Sequence, residues 1–223
     1  MSMNALDQGT RKQRGRRRPI PWDDAAVWTP DEPQESAPSP FRDDFEVPAG
    51  GFTVADLLAM PETHYRIELT DGVLTVSPAP QDKHQFFAMA FGMRLYGARS
   101  SGYTVNQGID VQLGDRTTRI PDVAVLRARS LKGRRIHTAD DIVVAIEVVS
   151  PTSGRIDRTL KPLVYADAKV PYYWRIELEP ELIAVVHRLD DGAYVEVSRG
   201  PRIDVTEPFL FAVDLAEFVD PDA

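Results

Sequence analysis

The sequence predicts an α/β domain, a mixed β-sheet flanked by helices behind a disordered N-terminal tail. Three features lead there. The run Ile142–Val149 is apolar at every position but Glu147, the pattern of a strand covered on both faces. A helical stretch then connects it to a second strand over Tyr172–Glu177, and a strand–helix–strand crossover of that length implies parallel pairing. Three tight-turn pairs, Asp71-Gly72, Gly114-Asp115 and Asp191-Gly192, lie between apolar runs and signal antiparallel hairpins.

Residues 1–47 stand apart from this pattern. They are rich in proline and polar residues, and Trp22, Val27, Trp28 and Phe41 are scattered rather than periodic, so this segment reads as a disordered basic tail with a short partner-binding element at Trp22 to Trp28. The folded domain is expected over 48–223. Thr53 is placed to cap a short helix, 54–59, that stops at Met60-Pro61. Strands over 65–69 and 73–77 flank the first turn, and Ser77-Pro78-Ala79-Pro80 breaks the chain. A helix follows from about 82 to 99, with Phe86, Phe87, Ala90, Met93 and Gly97 on a broad apolar face. Residues 103–113 and 117–126 form the second hairpin, the first of its strands carrying one wet face. After the Ile142–Val149 strand, Ser150-Pro151 ends the run, and Thr152 or Ser153 can cap the crossover helix. Pro162 requires that helix to kink or to restart with the proline in its first turn. Residues 183–189 and 194–197 complete the third hairpin.

Composition narrows the function. The chain has 223 residues, 43% of them hydrophobic and 27% charged, as in soluble globular proteins. No apolar run approaches the roughly 18 residues of a membrane helix, and no apolar segment follows the basic N-terminus as in a secretory signal. With no cysteine there is neither a disulfide framework nor a thiolate metal site, and a cytoplasmic address is expected. The net charge of -8 argues against tight indiscriminate binding to nucleic acid. Basic residues are nevertheless concentrated in 11–18 and 127–135, both free of acids. A solvated tail and a solvated loop are the plain alternative for these two runs.

Chemistry concentrates between residues 119 and 161. Two strand-like runs each hold one carboxylate, Asp122 and Glu147. A lone ionised carboxylate among buried apolar residues is costly unless a cation or donors compensate it. A second carboxylate nearby, with a divalent metal between the two, is the economical explanation, and Asp122 is the obvious candidate.

Six motifs occur in order: Glu68-Leu-Thr-Asp-Gly, Ser77-Pro-Ala-Pro-Gln-Asp-Lys-His84, Pro121-Asp122-Val, Glu147-Val-Val-Ser-Pro151, Lys161 with Tyr165-Ala, and Val170-Pro-Tyr-Tyr-Trp174. Together they resemble the Uma2 family (DUF820), endonucleases of the PD-(D/E)XK restriction-endonuclease-like superfamily, over about residues 50–200. The resemblance implies a restriction-endonuclease-like mixed sheet and a metal-dependent nuclease acting on DNA. In it Asp122 and Glu147 would hold Mg²⁺ or Mn²⁺, and a lysine would assist the attacking water. The superfamily lysine lies two residues after the acid, where this chain has Val149; Lys161, on the following helix, is the residue that matches. Glu68 and His84 join the candidate site through their motifs.

Each residue also has a plainer reading. Asp122 could bond backbone amides at a strand start, Lys161 could form a helical ion pair with Asp157, Glu68 could pair with a cation, and His84 could be structural. Tyr165 and Trp174 read as core aromatics. Two other functions compete with the nuclease: a nucleic-acid-binding module of the same fold without turnover, and an assembly protein working through its tail. A homodimer is expected only from the symmetry of cutting two strands.

Overall fold

The computed structural model describes residues 47–61, 65–77, 82–130, 133–150 and 154–219. Apart from Val47, the predicted tail lies outside the described residues, as do the Pro78-Ala79-Pro80 break and the proposed caps Thr152 and Ser153. Among the described residues no helix is long and apolar enough to cross a membrane.

Helix α1 (Val54–Ala59) starts where Thr53 and Asp56 cap each other. The Thr53 hydroxyl accepts from the Asp56 amide at 3.2 Å, and the Asp56 carboxylate accepts from the Thr53 amide at 2.8 Å. Strands β1 (Arg66–Thr70) and β2 (Val73–Ser77) form the first hairpin, in which Thr70 aligns with Val73 around Asp71-Gly72. Gly72 takes φ +85°, and the Arg116 guanidinium occupies the space a Cβ would need. Helix α2 (Asp82–Ala98) is the longest, and packs Phe87, Phe91 and Leu95 inward.

The second hairpin departs from expectation. It is a single antiparallel ribbon in alignment, Gln107 opposite Val123 and Val111 opposite Arg119, but it is broken in the middle. Its base, β3 (Tyr103–Gln107) and β6 (Val123–Arg127), belongs to the main sheet. Its tip, β4 (Val111–Gly114) and β5 (Thr117–Arg119), joins β7 (His137–Thr138) in a separate three-stranded sheet. Gly108, at φ +57°, and Pro121, which has no amide hydrogen to offer a ladder, mark the break. Asp122 sits on the break.

Strand β8 (Ile142–Val149) is buried along its whole length. A π-helical turn, Ile156–Leu160, leads into helix α3 (Lys161–Asp167), and the chain returns in β9 (Tyr172–Glu177), parallel to β8 as the crossover predicts. Strands β10 (Ile183–Asp190) and β11 (Ala193–Gly200) make the third hairpin. The six-stranded sheet therefore runs β11-β10-β9-β8-β6-β3, mixed and flanked by helices. A C-terminal hairpin that no turn signal announced, β12 (Arg202–Val205) and β13 (Phe211–Asp214), closes on α2: Phe91 meets the rings of Phe211 and Phe218 edge-on at 5.8 and 5.5 Å. Trp174 lies wholly inside this cluster, a core aromatic as expected.

Candidate active site

Side chains alternate across a strand, and this alternation decides where Glu147 points. Ile146 and Val148 enter the core beneath α2; Glu147, between them, faces the side of Ala145 and the crossover helix. There it is 1% exposed. Alignment of Val123 with Ile146 sets the preceding Asp122 level with Glu147 on the neighbouring strand.

Because β6 stops at Val123, the amide and carbonyl of Val148 have no ladder partner on that side and must find one elsewhere. Asp122 supplies the acceptor, its Oδ2 taking a hydrogen bond from the Val148 amide at 2.9 Å. His84, on the first turn of α2, supplies the donor: its Nε2 is 2.6 Å from the Val148 carbonyl oxygen and 3.1 Å from Asp122 Oδ2. Arg66 closes the other side. Its guanidinium donates to the Ile120 carbonyl at 2.5 Å and stands 3.5 Å from Asp122 Oδ1. Glu68 accepts from the Ile120 amide at 2.8 Å, so both backbone groups of Ile120 are held by β1, two residues before Asp122.

Glu147 has a separate set of partners. Lys161 Nζ lies 2.7 Å from its Oε2, and the Tyr165 hydroxyl donates to its Oε1 at 2.9 Å. The same ammonium is 2.7 Å from Asp157 Oδ1, four residues back along the helix. The ordinary helical ion pair and the pairing with Glu147 thus coexist, and Lys161 joins two buried carboxylates. Pro162 follows it directly. The ring removes a helical hydrogen bond and crowds the carbonyl four residues earlier. A π turn sits directly before it and carries Lys161 over the sheet.

Charge follows burial and neighbours. Burial pushes the Glu147 carboxyl up to about 8; Lys161 opposes this, and Asp122 and Asp157 add to it. Burial disfavours the Lys161 ammonium, but Glu147 and Asp157 outweigh it and hold the amine charged beyond its ordinary range. For Asp122 burial is likewise outweighed, here by His84, Lys161 and Arg66, and the carboxyl is held below its usual range. Burial lowers His84, yet hydrogen bonding to Asp122 raises it further, so the net shift is upward. Tyr165 stays a donor because burial and Glu147 keep its hydroxyl protonated.

The donor set suits a hard divalent ion with an open coordination sphere. Asp122, Glu147 and the Val148 carbonyl are all oxygen donors, the type such an ion takes, and they come from neighbouring positions of β8 and the start of β6. Among the described residues no three His, Cys, Asp or Glu side chains gather in a group that could hold a metal ion.

The five sequence candidates fall into two neighbouring groups, Asp122 with His84 and, through the Ile120 amide, Glu68, and Glu147 with Lys161, which adjoin where Asp122 takes the amide of Val148 next to Glu147. Arg66 and the hydroxyl of Tyr165 were missed. Tyr165 had a signal, one helical turn past Lys161; Arg66 had only its place two residues before Glu68. The basic run is partly tied to the fold: Arg134 pairs with Asp141 at 3.1 Å and Arg135 donates to the Leu58 carbonyl at 2.7 Å.

Known proteins agree with this architecture. A solved "putative nuclease belonging to DUF820" from Anabaena variabilis ATCC 29413 matches with a TM-score of 0.62 over 75% of this chain and 97% of that one. At 18% identity the likeness establishes the fold. No curated relative matched the chain. The profile of the Uma2 family, described as "Putative restriction endonuclease", matches residues 54–216, from α1 to the last helical turn. The match takes in well over half the sequence, and the chain belongs to the Uma2 family.

Proposed function

We propose that this protein is a metal-dependent endonuclease that hydrolyses phosphodiester bonds in DNA. The carrying observation is that Asp122, directly before β6, stands level with Glu147 on β8, with the Lys161 ammonium 2.7 Å from Glu147. Asp122, Glu147 and the Val148 carbonyl would hold Mg²⁺ or Mn²⁺. Such an ion lowers the pKa of a bound water and offsets charge on the phosphate.

The chain's own groups do the positioning. Lys161, held by Glu147 and Asp157, would serve as a donor that orients the attacking water or a phosphate oxygen. Asp157 and Tyr165 fix the Lys161–Glu147 pair from two sides. His84 and Arg66 fix Asp122, and Glu68 anchors the Ile120 amide two residues earlier. The Arg66 side chain is 26% exposed and remains available to a DNA phosphate.

The test is nicking of supercoiled plasmid with Mg²⁺ or Mn²⁺. Activity is expected in the wild type and a loss of more than about a hundredfold in Asp122→Ala and Glu147→Ala, since even outer partners of metal sites are worth roughly 10–100-fold. One observation favours a second reading, a DNA-binding module without turnover: Val149 replaces the superfamily lysine, and Lys161 is engaged by two carboxylates. Metal-independent DNA binding with no cleavage by any of the three proteins would select it.

A further inference from the structure

We propose that α2 is the surface through which two copies of this chain pair, antiparallel, about a twofold axis. The helix buries one side against the sheet, yet on its outer side Phe86, Met89, Met93 and Tyr96 remain 51, 46, 70 and 48% exposed. Single exposed apolar residues are ordinary; four large ones in one line mark a surface that another molecule covers. Their spacings of three, four and three residues put them on one stripe.

The occupant is written in that spacing, because it reads the same from either end. A second copy laid antiparallel sets Phe86 against the partner's Tyr96, and Met89 against the partner's Met93. Each contact then occurs twice, as a self-complementary twofold interface requires. Charge selects the direction. Beside the N-terminal end of the stripe is a groove of about 270 Å³ walled by Phe86, Leu178 and Val219, with Asp82, Lys83 and Glu179 among its lining residues, two acids against one base. At the C-terminal end the Arg99 guanidinium lies 3.4 Å from the centre of the Tyr96 ring, and its Nε donates to the Tyr103 carbonyl at 3.1 Å. Each copy therefore carries a cation-capped aromatic at one end of α2 and an apolar groove with an acidic excess at the other. Antiparallel pairing seats each cap by the opposite groove and opposes the two helix dipoles. Parallel pairing would bring Arg99 to the partner's Arg99.

Pairing is a property of the metal-free, DNA-free protein and is measured without either, so its outcome is separate from that of the nuclease reading. Its use, delivering two sites to two strands, rests on that reading. The chain has no cysteine, so introduced thiols report cleanly. In the full chain, light scattering is expected to show a dimer, and Met93→Lys and Tyr96→Glu, both at exposed positions, are expected to give folded monomers by circular dichroism. Mixing Met89→Cys protein with Met93→Cys protein under mild oxidation is expected to yield a covalent dimer several-fold more abundant than either alone. Phe86→Cys by itself should not cross-link. A wild-type monomer, a dimer that survives both surface variants, or self-linked Phe86→Cys would overturn the proposal. So would a chain that dimerises only after deletion of residues 1–46, which would make the tail the natural cover of this face.

Discussion

Lys161 is where the residue-scale chemistry is most exposed to test. Its ammonium serves two carboxylates that are each about 1% exposed. Lys161→Met would take the buried cation from Asp157 and a hydrogen-bond donor from Glu147. Denaturant unfolding should register a loss on the order of 3–5 kcal/mol, the usual result of removing one partner from a buried ion pair. Glu147 makes a second prediction. Its carboxyl is pushed up to about 8, whereas an ion binds the deprotonated form, so proton and metal compete. Calorimetric titration should show Mn²⁺ affinity rising by up to roughly tenfold per pH unit below about pH 8 and levelling above it. A flat profile would mean that Glu147 does not hold the ion. The same shift has a stability consequence. The folded metal-free protein keeps a proton that the unfolded chain loses above its ordinary value of 4.5. This group's contribution is therefore fully present at acid pH and lost as pH rises through about 8.

At the scale of elements, the π turn before α3 is the feature that aims the lysine. It exists beside a proline that an α-helix accommodates poorly, and π turns inside helices are frequent at functional positions. Pro162→Ala gives that turn the option of closing to α geometry, and removing one residue of slack rotates what precedes it by about 100° relative to the helix that follows. Nicking is expected to fall by about tenfold or more while the melting temperature holds or rises. Full activity with an altered helix would show that the lysine's placement is set by its two carboxylates alone. The broken hairpin is the matching device on the other strand. Had β6 continued past Val123, its backbone would have met Val148, and Asp122 would have had no amide to accept from.

For the molecule as a whole, α2 joins the C-terminal hairpin and final helical turn to the site. Its first turn carries His84, its middle carries Phe91, and Phe91 is fully buried against Phe87, Phe211 and Phe218. Phe91→Ala should cost roughly 3–5 kcal/mol by chemical denaturation, the range for emptying a buried aromatic position. A cost below about 1 kcal/mol would mean that β13 and the final helical turn are appended to the domain and not part of its core. The opposite side of α2 is apolar and uncovered, so one helix serves both the interior and the proposed pairing of copies.

Much of this was legible from local pattern. Asp-Gly turns, a threonine cap before Val54, and a run apolar on both faces each depend on residues within a few positions of one another, and so does the anomaly of a carboxylate in such a run. The five candidate residues came from that anomaly and from motif order. The break in the second hairpin was harder to see, because its alternation and turn continue smoothly through the interruption. Tyr165 was read as a core aromatic, and its ring is indeed buried with Tyr173; that its hydroxyl reaches Glu147 depends on the twist of the helix over the sheet. Arg66 and Asp122 are far apart in the chain and share no periodicity, so nothing short of the strand register brings them within 3.5 Å.

By itself, then, the sequence determined most of the elements and the sheet's mixed character and singled out the acids and the lysine as candidates, because propensity, turn chemistry and side-chain period act over short separations. Only the tertiary structure decided which partners those charges meet. That choice depends on where one strand stops and its neighbour runs on, and on how a proline-strained helix crosses above them.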